Sequence, residues 1–274
     1  MGARVPLLVL YFAFLFPGLH ALYPWANGGA GTAPDVARLY LNLPAFAARG
    51  FVAILVWAAI GFFVAVGRLG LLATSVALVF HGLAVSVIAV GWMLSIDPRF
   101  SDSAFGAEIA VQQILVALAA IAVFQPRRAV EIADGDIGGL MLAAALGAFY
   151  LGLMTFIVKW YGDQPVDAAW YIARAHGARL GFLVGAVFFG AVVPVVGCAW
   201  ERVRGSAPAM RAIGVSTLLG VALHDLWFAG SAAPALAAPA ALLAVIAMAG
   251  ISAGLAPRFD RRLRRRATAD GTAL

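Results

Sequence analysis

The sequence is 274 residues long, of which 64% are hydrophobic and only 12% are charged. Its mean hydropathy is +0.95, and a soluble domain of this length cannot hide that much apolar surface, so we expect a membrane protein. The single cysteine, Cys198, excludes an intrachain disulfide, a cysteine-ligated zinc site and a protein-held iron–sulfur cluster, and the lack of a CxxCH sequence excludes c-type haem.

Apolar segments long enough to cross a bilayer, which takes about 20 residues, recur along the chain. They predict an all-α, polytopic helical bundle with eight transmembrane spans: Val5–Tyr23, Phe51–Val66, Gly70–Ser95, Phe105–Phe124, Ile137–Val158, Leu180–Trp200, Met210–Gly230 and Ala235–Leu255. The bundle forms one domain, residues 1–256, and residues 257–274 form a basic tail. The first span has an alternative interpretation as a signal peptide that is cleaved near Ala21.

The distribution of Lys and Arg predicts the orientation of the chain. The side that holds the N-terminus carries 13 of the 19 Lys and Arg residues, six of them in the tail after Pro257, and the other side carries 6. This bias predicts that both termini of the multi-pass protein lie in the cytoplasm. The net charge of +6 reflects this arrangement, and we expect no nucleic-acid partner.

The stretch from Ile137 to Arg179 is the most polar and aromatic structured part of the sequence. Its apolar span ends at Lys159-Trp160-Tyr161, the chain turns at Pro165, and a short amphipathic segment leads to the next span. Five tryptophans fall at the predicted outer interface: Trp25, Trp92, Trp160, Trp170 and Trp227. Together with the two long outer loops, residues 24–49 and 159–179, they indicate a docking surface that faces outward.

Ionisable residues inside the hydrocarbon region are costly and therefore suggest function. His81 lies near the middle of the third span, where a neutral imidazole can relay a proton or simply bond a neighbouring carbonyl. Near the outer side, His224-Asp225 and Glu108, with Gln112 one turn deeper, are further candidates, and Asp225 would need a partner such as Lys159, Arg174 or Arg179. The candidate proton path therefore consists of His81, Asp225, His224 and Glu108.

A second group of polar residues is predicted at the outer leaflet. With the residues above, its members could form the proton acceptor and donor that a quinol site requires, or they could be interfacial side chains that snorkel and pair. The group comprises His20, Asp97, Arg99, Lys159, Arg174, His176 and Arg179. Haem ligation by His20 and His224 is the weaker interpretation, because only His81 is deep, and we expect no metal site and no cofactor held by this chain.

Small residues at four-residue spacing predict closely packed helices. They occur as Gly139-x-x-x-Ala143-x-x-x-Gly147, Gly181-x-x-x-Gly185 and Gly250-x-x-x-Gly254. Pro194 and the pair Pro234/Pro239 are candidates for helix kinks. The sequence lacks the internal repeat of many transporters, which disfavours an independent small-molecule transporter.

Several motifs, in order over about residues 20 to 230, resemble one known family. They are Leu22-Tyr23-Pro24-Trp25-Ala26, Tyr40-Leu41-Asn42-Leu43-Pro44 with Arg49, Trp92-Met93-Leu94-Ser95-Ile96-Asp97-Pro98 followed by Ser103 and Phe105-Gly106, Asp136-Ile137-Gly138-Gly139-Leu140 with Tyr150 and Phe156, Trp160-Tyr161-Gly162-Asp163-Gln164-Pro165, Trp170-Tyr171 with Arg174, and Asp225-Leu226-Trp227. The chain thereby resembles the ActF-type membrane subunits of bacterial alternative complex III, a quinol:cytochrome c oxidoreductase, and more distantly the NrfD and polysulfide-reductase membrane subunits. It has fewer spans than is usual for that family, and Lys159 and Asp97-Pro98-Arg99-Phe100 depart from its pattern.

The resemblance implies a helical bundle that carries no redox centre of its own. Its implied partners are a sister quinol-binding membrane subunit and periplasmic iron–sulfur and multihaem cytochrome c subunits, with quinol or quinone bound in the complex. We therefore expect an integral subunit of a quinol-oxidising respiratory complex that contributes a scaffold and either a proton half-path or a quinone-proximal surface. The alternative is a purely structural anchor for the periplasmic redox subunits.

Overall fold

The computed structural model describes seven stretches of the chain, and the statements below concern these alone. They are residues 19–20, 22–28, 34–66, 70–97, 100–124, 134–162 and 165–229. The greater part of the predicted first span, the whole predicted eighth span with its Gly250/Gly254 pair, the Pro234/Pro239 pair and the basic tail lie outside them.

The described part of the chain is helical and contains no strand. Its α-helices are α1 (Pro34–Leu39), α2 (Leu43–Val66), α3 (Leu71–Trp92), α4 (Phe105–Phe124), α5 (Asp134–Tyr161), α6 (Pro165–Arg174), α7 (Gly177–Val187), α8 (Val193–Ala199), α9 (Glu201–Arg204) and α10 (Ala207–Ala229). Short 3₁₀ helices cover Pro24–Asn27 and Leu94–Ile96, and a π-helical turn, Phe188–Val192, joins α7 to α8.

Six helical segments of the described chain are long and apolar enough to cross a membrane, which makes this a multi-pass membrane protein. They are Leu43–Phe63, Leu71–Ile96, Phe105–Phe124, Asp136–Tyr161, Gly177–Ala199 and Ala207–Ala229. Each matches one of the predicted spans two to seven. The short amphipathic segment predicted between the fifth and sixth spans is helix α6.

The second span begins earlier than predicted, at Leu43 instead of Phe51. Asn42 caps the helix, since its side-chain oxygen accepts a 2.9 Å hydrogen bond from the backbone N–H of Ala45. Arg49 is accommodated near the start because it donates a 2.7 Å bond to the carbonyl of Tyr40 and lies 3.8 Å from the centre of the Tyr40 ring. Arg49 lowers the average hydropathy of the first part of this helix, and the sequence pattern therefore predicts a later start.

The chain divides into two compact units, and each is described by itself. Unit 1 contains Met1–Ala110 and Thr155–Tyr171, and unit 2 contains Val111–Met154 and Ile172–Leu274. Helices α4, α5 and α6 therefore each contribute to both units.

The core of unit 1 forms around the segment that precedes α1. Its buried residues are Leu19, Tyr23, Trp25, Leu41, Phe46 and Ile54. The rings of Tyr23 and Trp25 each lie 5.3 Å from the ring of Phe46. Burial also raises the pKa of Tyr40, with Arg49 opposing the shift, so the hydroxyl stays protonated and donates a 2.7 Å hydrogen bond to the carbonyl of Val87 in α3.

Unit 2 is held together by a very close approach of two helices. A Cβ added at Gly220 of α10 would collide with the backbone of Gly190 in the π-helical turn, so glycine is required at this crossing. The predicted small-residue ridges contribute less: a Cβ added at Gly185 would meet Leu223, whereas one at Gly181 would meet nothing within 4 Å.

The π-helical turn lies just before Pro194, a residue that cannot donate a backbone hydrogen bond. The N–H of Val193 bonds the carbonyl of Phe188, five residues earlier, and in this spacing residue 194 would bond the carbonyl of Phe189. Residue 194 is proline and has no N–H. Ser216 of α10 supplies the missing donor, since its hydroxyl bonds the Phe189 carbonyl at 3.0 Å. The irregular geometry thus occurs at Pro194, one of the residues singled out as a kink candidate.

Candidate functional site

Unit 1 contains a compact group of polar and aromatic side chains, which we call the collar cluster. Its members are Asp97, Phe100, Lys159, Asp167, Trp170 and Tyr171. They come from the segment between α3 and α4, from the last turn of α5 and from α6. The contact between Lys159 and Asp167 brings the first turn of α6 to the end of α5.

Two polar contacts connect these elements. Lys159 donates from Nζ to Oδ1 of Asp167 at 3.0 Å, and the two side chains are only 8% and 20% exposed. Trp170 donates from Nε1 to Oδ2 of Asp97 at 3.1 Å. Because both acceptors are carboxylates in shielded surroundings, these contacts are stronger than neutral hydrogen bonds in water.

Aromatic rings surround the polar contacts. Phe100 stacks on Trp170 with 4.2 Å between the ring centres, and Tyr171 meets Trp170 edge-on at 4.9 Å. The ammonium group of Lys159 lies 4.8 Å from the centre of the Phe100 ring, so Lys159 has a carboxylate and an aromatic face as partners. The collar cluster can therefore hold a positive charge away from water.

The segment before α1 reaches the same loop of unit 1. Tyr23 donates its hydroxyl to the carbonyl of Trp92 at 2.9 Å, and Trp25 donates from Nε1 to the hydroxyl of Ser95 at 3.2 Å. Since Asp97 is two residues further on, three distant parts of the sequence meet around residues 92–100. These are the Tyr23-Pro24-Trp25 segment, the Trp92–Asp97 segment and Trp170.

Unit 2 contains a second polar set, made of Gln112 in α4 and His224 and Asp225 in α10. The side-chain nitrogen of Gln112 lies 3.4 Å from Nδ1 of His224 and 3.4 Å from Oδ1 of Asp225, to which it donates. His224 Nδ1 and Asp225 Oδ1 are 3.7 Å apart, and the two side chains are 25% and 49% exposed. An imidazole beside a carboxylate and an accessible surface is a plausible proton exchanger.

His81 lies in the middle of α3, as expected, and its neighbour is aromatic. Its ring meets that of Trp57 in α2 edge-on, with 5.7 Å between the centres. The indole nitrogen of Trp57 is buried and has no hydrogen-bond partner among the described residues. The described contacts thus support a packing role for His81 as well as they support a proton relay.

The other predicted site residues are dispersed. Glu108 lies in the first turn of α4. His20 is exposed, with its Nδ1 3.1 Å from the side-chain oxygen of Asn27, and His176 is exposed, with its Nδ1 2.9 Å from the carbonyl of Ile172. Arg174 at the end of α6 is only 2% exposed and Arg179 in α7 is partly buried, while Arg99 lies outside the described residues.

Two acidic residues of unit 1 that were not among the predicted site residues accept hydrogen bonds from side chains of α5. Asp167 is the partner of Lys159, a residue that the sequence analysis considered as a partner for Asp225. Asp167 lies in the first turn of the helix that begins at Pro165, and this position is the sequence signal that could have identified it. Asp102 accepts a 3.2 Å hydrogen bond from Thr155 and a 2.8 Å bond from the N–H of Ala104, so it fixes the start of α4 to α5.

Among the described residues no group of three or more His, Cys, Asp or Glu side chains is placed to hold a metal ion. In comparisons with known proteins, no protein-family model matches this chain, and no curated protein is significantly similar to it. The interpretation of function therefore rests on the motifs and on the contacts described above.

Proposed function

We propose that this chain is an integral membrane subunit, without a redox centre of its own, of a quinol-oxidising respiratory complex of the alternative complex III type. It resides in the bacterial cytoplasmic membrane with eight spans and both termini in the cytoplasm. Its role is to hold the sister quinol-binding subunit and the periplasmic iron–sulfur and multihaem cytochrome c subunits in one assembly.

One observation carries this proposal: motifs of the resemblance to the ActF-type subunits converge in unit 1. Trp25 bonds Ser95, Tyr23 bonds the Trp92 carbonyl, and Trp170 bonds Asp97. These residues belong to three motifs that are separated by about 70 residues each along the chain. A chance match of short motifs would not be expected to place the matched residues in contact, whereas a shared architecture would.

The scaffold role is tested by removing the chain from its source organism. Membranes from the deletion strain should lose quinol:cytochrome c oxidoreductase activity, and the periplasmic redox subunits should separate from the membrane fraction. Expression of the wild-type chain should restore both. Unchanged activity and unchanged membrane association of those subunits would contradict the proposal.

A second candidate role is a proton half-path, and the contacts of unit 2 favour it specifically. Gln112 lies 3.4 Å from both the imidazole of His224 and the carboxylate of Asp225, and that carboxylate is about half exposed. A base that reaches solvent in this way could accept a proton released on quinol oxidation. The purely structural anchor is the alternative.

Substitutions in the assembled complex separate the two roles. Asp225→Asn and His224→Gln should each slow quinol-dependent turnover and proton release if the path operates, while the complex stays intact. Asp35→Asn, an exposed carboxylate in α1, is the matched control and should leave both unchanged. Full turnover and proton release in the Asp225 and His224 variants would leave only the anchor role, and the same result for His81→Gln would remove that residue from the path.

A further inference from the structure

Helix α6 has an unusual distribution of polar and apolar side chains. Its polar and large aromatic residues are shielded by the protein: Asp167 is partly buried, Trp170 is 4% exposed and Arg174 is 2% exposed. Its exposed residues are apolar, with Val166 at 59% and Ile172 at 49% exposure. The helix thus presents its apolar face outward, the reverse of a helix that lies on the water-facing side of a protein.

Charged side chains of this region are paired at the inward face of α6. Asp167 pairs with Lys159, which is itself only 7% exposed and lies against the Phe100 ring. The indole nitrogen of Trp170 bonds Asp97. As a result, none of the exposed side chains of α6, which are Pro165, Val166, Ala169, Ile172 and Ala173, carries a charge.

The end of α5, which α6 contacts through Lys159–Asp167 and Phe156–Tyr171, also exposes apolar and aromatic side chains. Val158 is 69% exposed, Trp160 is 45% exposed and Tyr161 is 80% exposed. Helix α5 is long and apolar enough to cross the membrane, so its exposed aliphatic residues face lipid, and its terminal Trp and Tyr are typical of the headgroup level. The end of α5, which α6 contacts, therefore faces lipid.

We propose that α6 lies along the membrane interface, with Val166, Ala169, Ile172 and Ala173 in contact with the acyl chains of the adjoining leaflet. Ten residues extend about 15 Å, which is too short to span a bilayer, so the helix lies in the plane of the interface. The partner of this face is lipid because charge is excluded from it and because α6 contacts the lipid-facing end of α5. The Lys159–Asp167 pair makes this position possible by keeping both charges on the protein side.

Spin labelling of the full chain, purified with whatever subunits accompany it and reconstituted into phosphatidylethanolamine–phosphatidylglycerol vesicles, tests this proposal. The only native cysteine is fully buried and is replaced by Cys198→Ala. Labels are placed by Val166→Cys and Ile172→Cys. Val158→Cys provides the lipid-facing control, and Ser103→Cys, at an exposed position before α4, provides the water-facing control.

The labels at residues 166 and 172 should collide more often with oxygen, which concentrates in lipid, than with a water-soluble nickel chelate. The label at residue 158 should behave in the same way, and the label at residue 103 should show the opposite order. If the labels at residues 166 and 172 collided more often with the nickel chelate than with oxygen, as expected at residue 103, the face would lie in water and the proposal would be overturned. Shielding of these two positions from both reagents would mean that a protein covers them, which would overturn it equally.

A failure of the Cys198→Ala chain to fold does not prevent the test. Native Cys198 is then kept, because its burial protects it from the label, and the unsubstituted chain serves as the blank. The labels at residues 166 and 103 are then compared, as before, for their relative collision rates with oxygen and with the nickel chelate.

Discussion

At the scale of single residues, Trp170 has two separable functions in the collar cluster. Its ring stacks on Phe100 and its indole nitrogen bonds Asp97. Trp170→Phe keeps a stacking ring but removes the donor, and it should lower the free energy of unfolding by about 1.5–3 kcal/mol, the range for a hydrogen bond to a charged group. Unfolding by SDS titration in mixed micelles measures this change.

The matched control is Trp160→Phe, since Trp160 also stacks on a phenylalanine but is 45% exposed. This control should change the free energy of unfolding by well under half as much. Equal losses in the two variants would show that the bond to Asp97 contributes nothing beyond ring packing.

Gly220 gives a sharper prediction because its surroundings leave no room for a side chain. An added Cβ would meet backbone atoms of Gly190, which cannot move aside as a flexible side chain would. Gly220→Ala should therefore lower the free energy of unfolding by about 3 kcal/mol or more. The same SDS titration applies.

Gly181→Ala is the control for that substitution, because no atom of the described residues lies within 4 Å of its added Cβ. Alanine is the better helix former, so this variant should be neutral or more stable by about 0.5–1 kcal/mol. If Gly220→Ala were tolerated as well as Gly181→Ala, the close crossing of α10 and the π-helical turn would be wrong.

At the scale of elements, the π-helical turn depends on a hydroxyl from a neighbouring helix. Ser216→Ala removes the donor to the Phe189 carbonyl and should cost about 1 kcal/mol of unfolding free energy. In a Pro194→Ala background the restored N–H of residue 194 can donate to the Phe189 carbonyl. Ser216→Ala should then change the free energy of unfolding by about zero. A double-mutant cycle measures the coupling, and equal costs in both backgrounds would refute it.

Hydropathy predicted the six described spans because a crossing helix must be apolar over a fixed length, which is a local property of the sequence. It misplaced the start of α2 because the capping by Asn42 and the contact of Arg49 with Tyr40 are invisible to an average over residues. The spacing of small residues also failed to identify the closest crossing. Gly190 and Gly220 belong to none of the predicted ridges, and Gly181, which does, faces open space.

For the candidate sites as well, the sequence predicted local features but not contacts between distant residues. Sequence adjacency placed His224 beside Asp225, and the aromatic and charged stretch around Lys159 was recognised from composition. The pairing of Lys159 with Asp167 and of Trp170 with Asp97 depends on how α6 folds back on α5, which is a tertiary property. No local sequence pattern specifies such pairs.

At the scale of the whole molecule, the predicted orientation has a direct consequence. The basic tail after Pro257 should lie in the cytoplasm, since it carries six of the 19 Lys and Arg residues. A green fluorescent protein fused to the C-terminus should therefore fluoresce, and alkaline phosphatase fused there should be inactive. The reverse pattern would require an odd number of spans or an inverted protein.

The central claim is that this chain belongs to a quinol-oxidising complex, and purification in a mild detergent on an affinity tag tests it most directly. The account predicts a coloured preparation with the absorption bands of c-type haem. It also predicts that iron–sulfur, multihaem cytochrome c and sister membrane subunits are identified with the tagged chain by mass spectrometry. A colourless protein that purifies without partners would contradict the account and would favour an independent transporter.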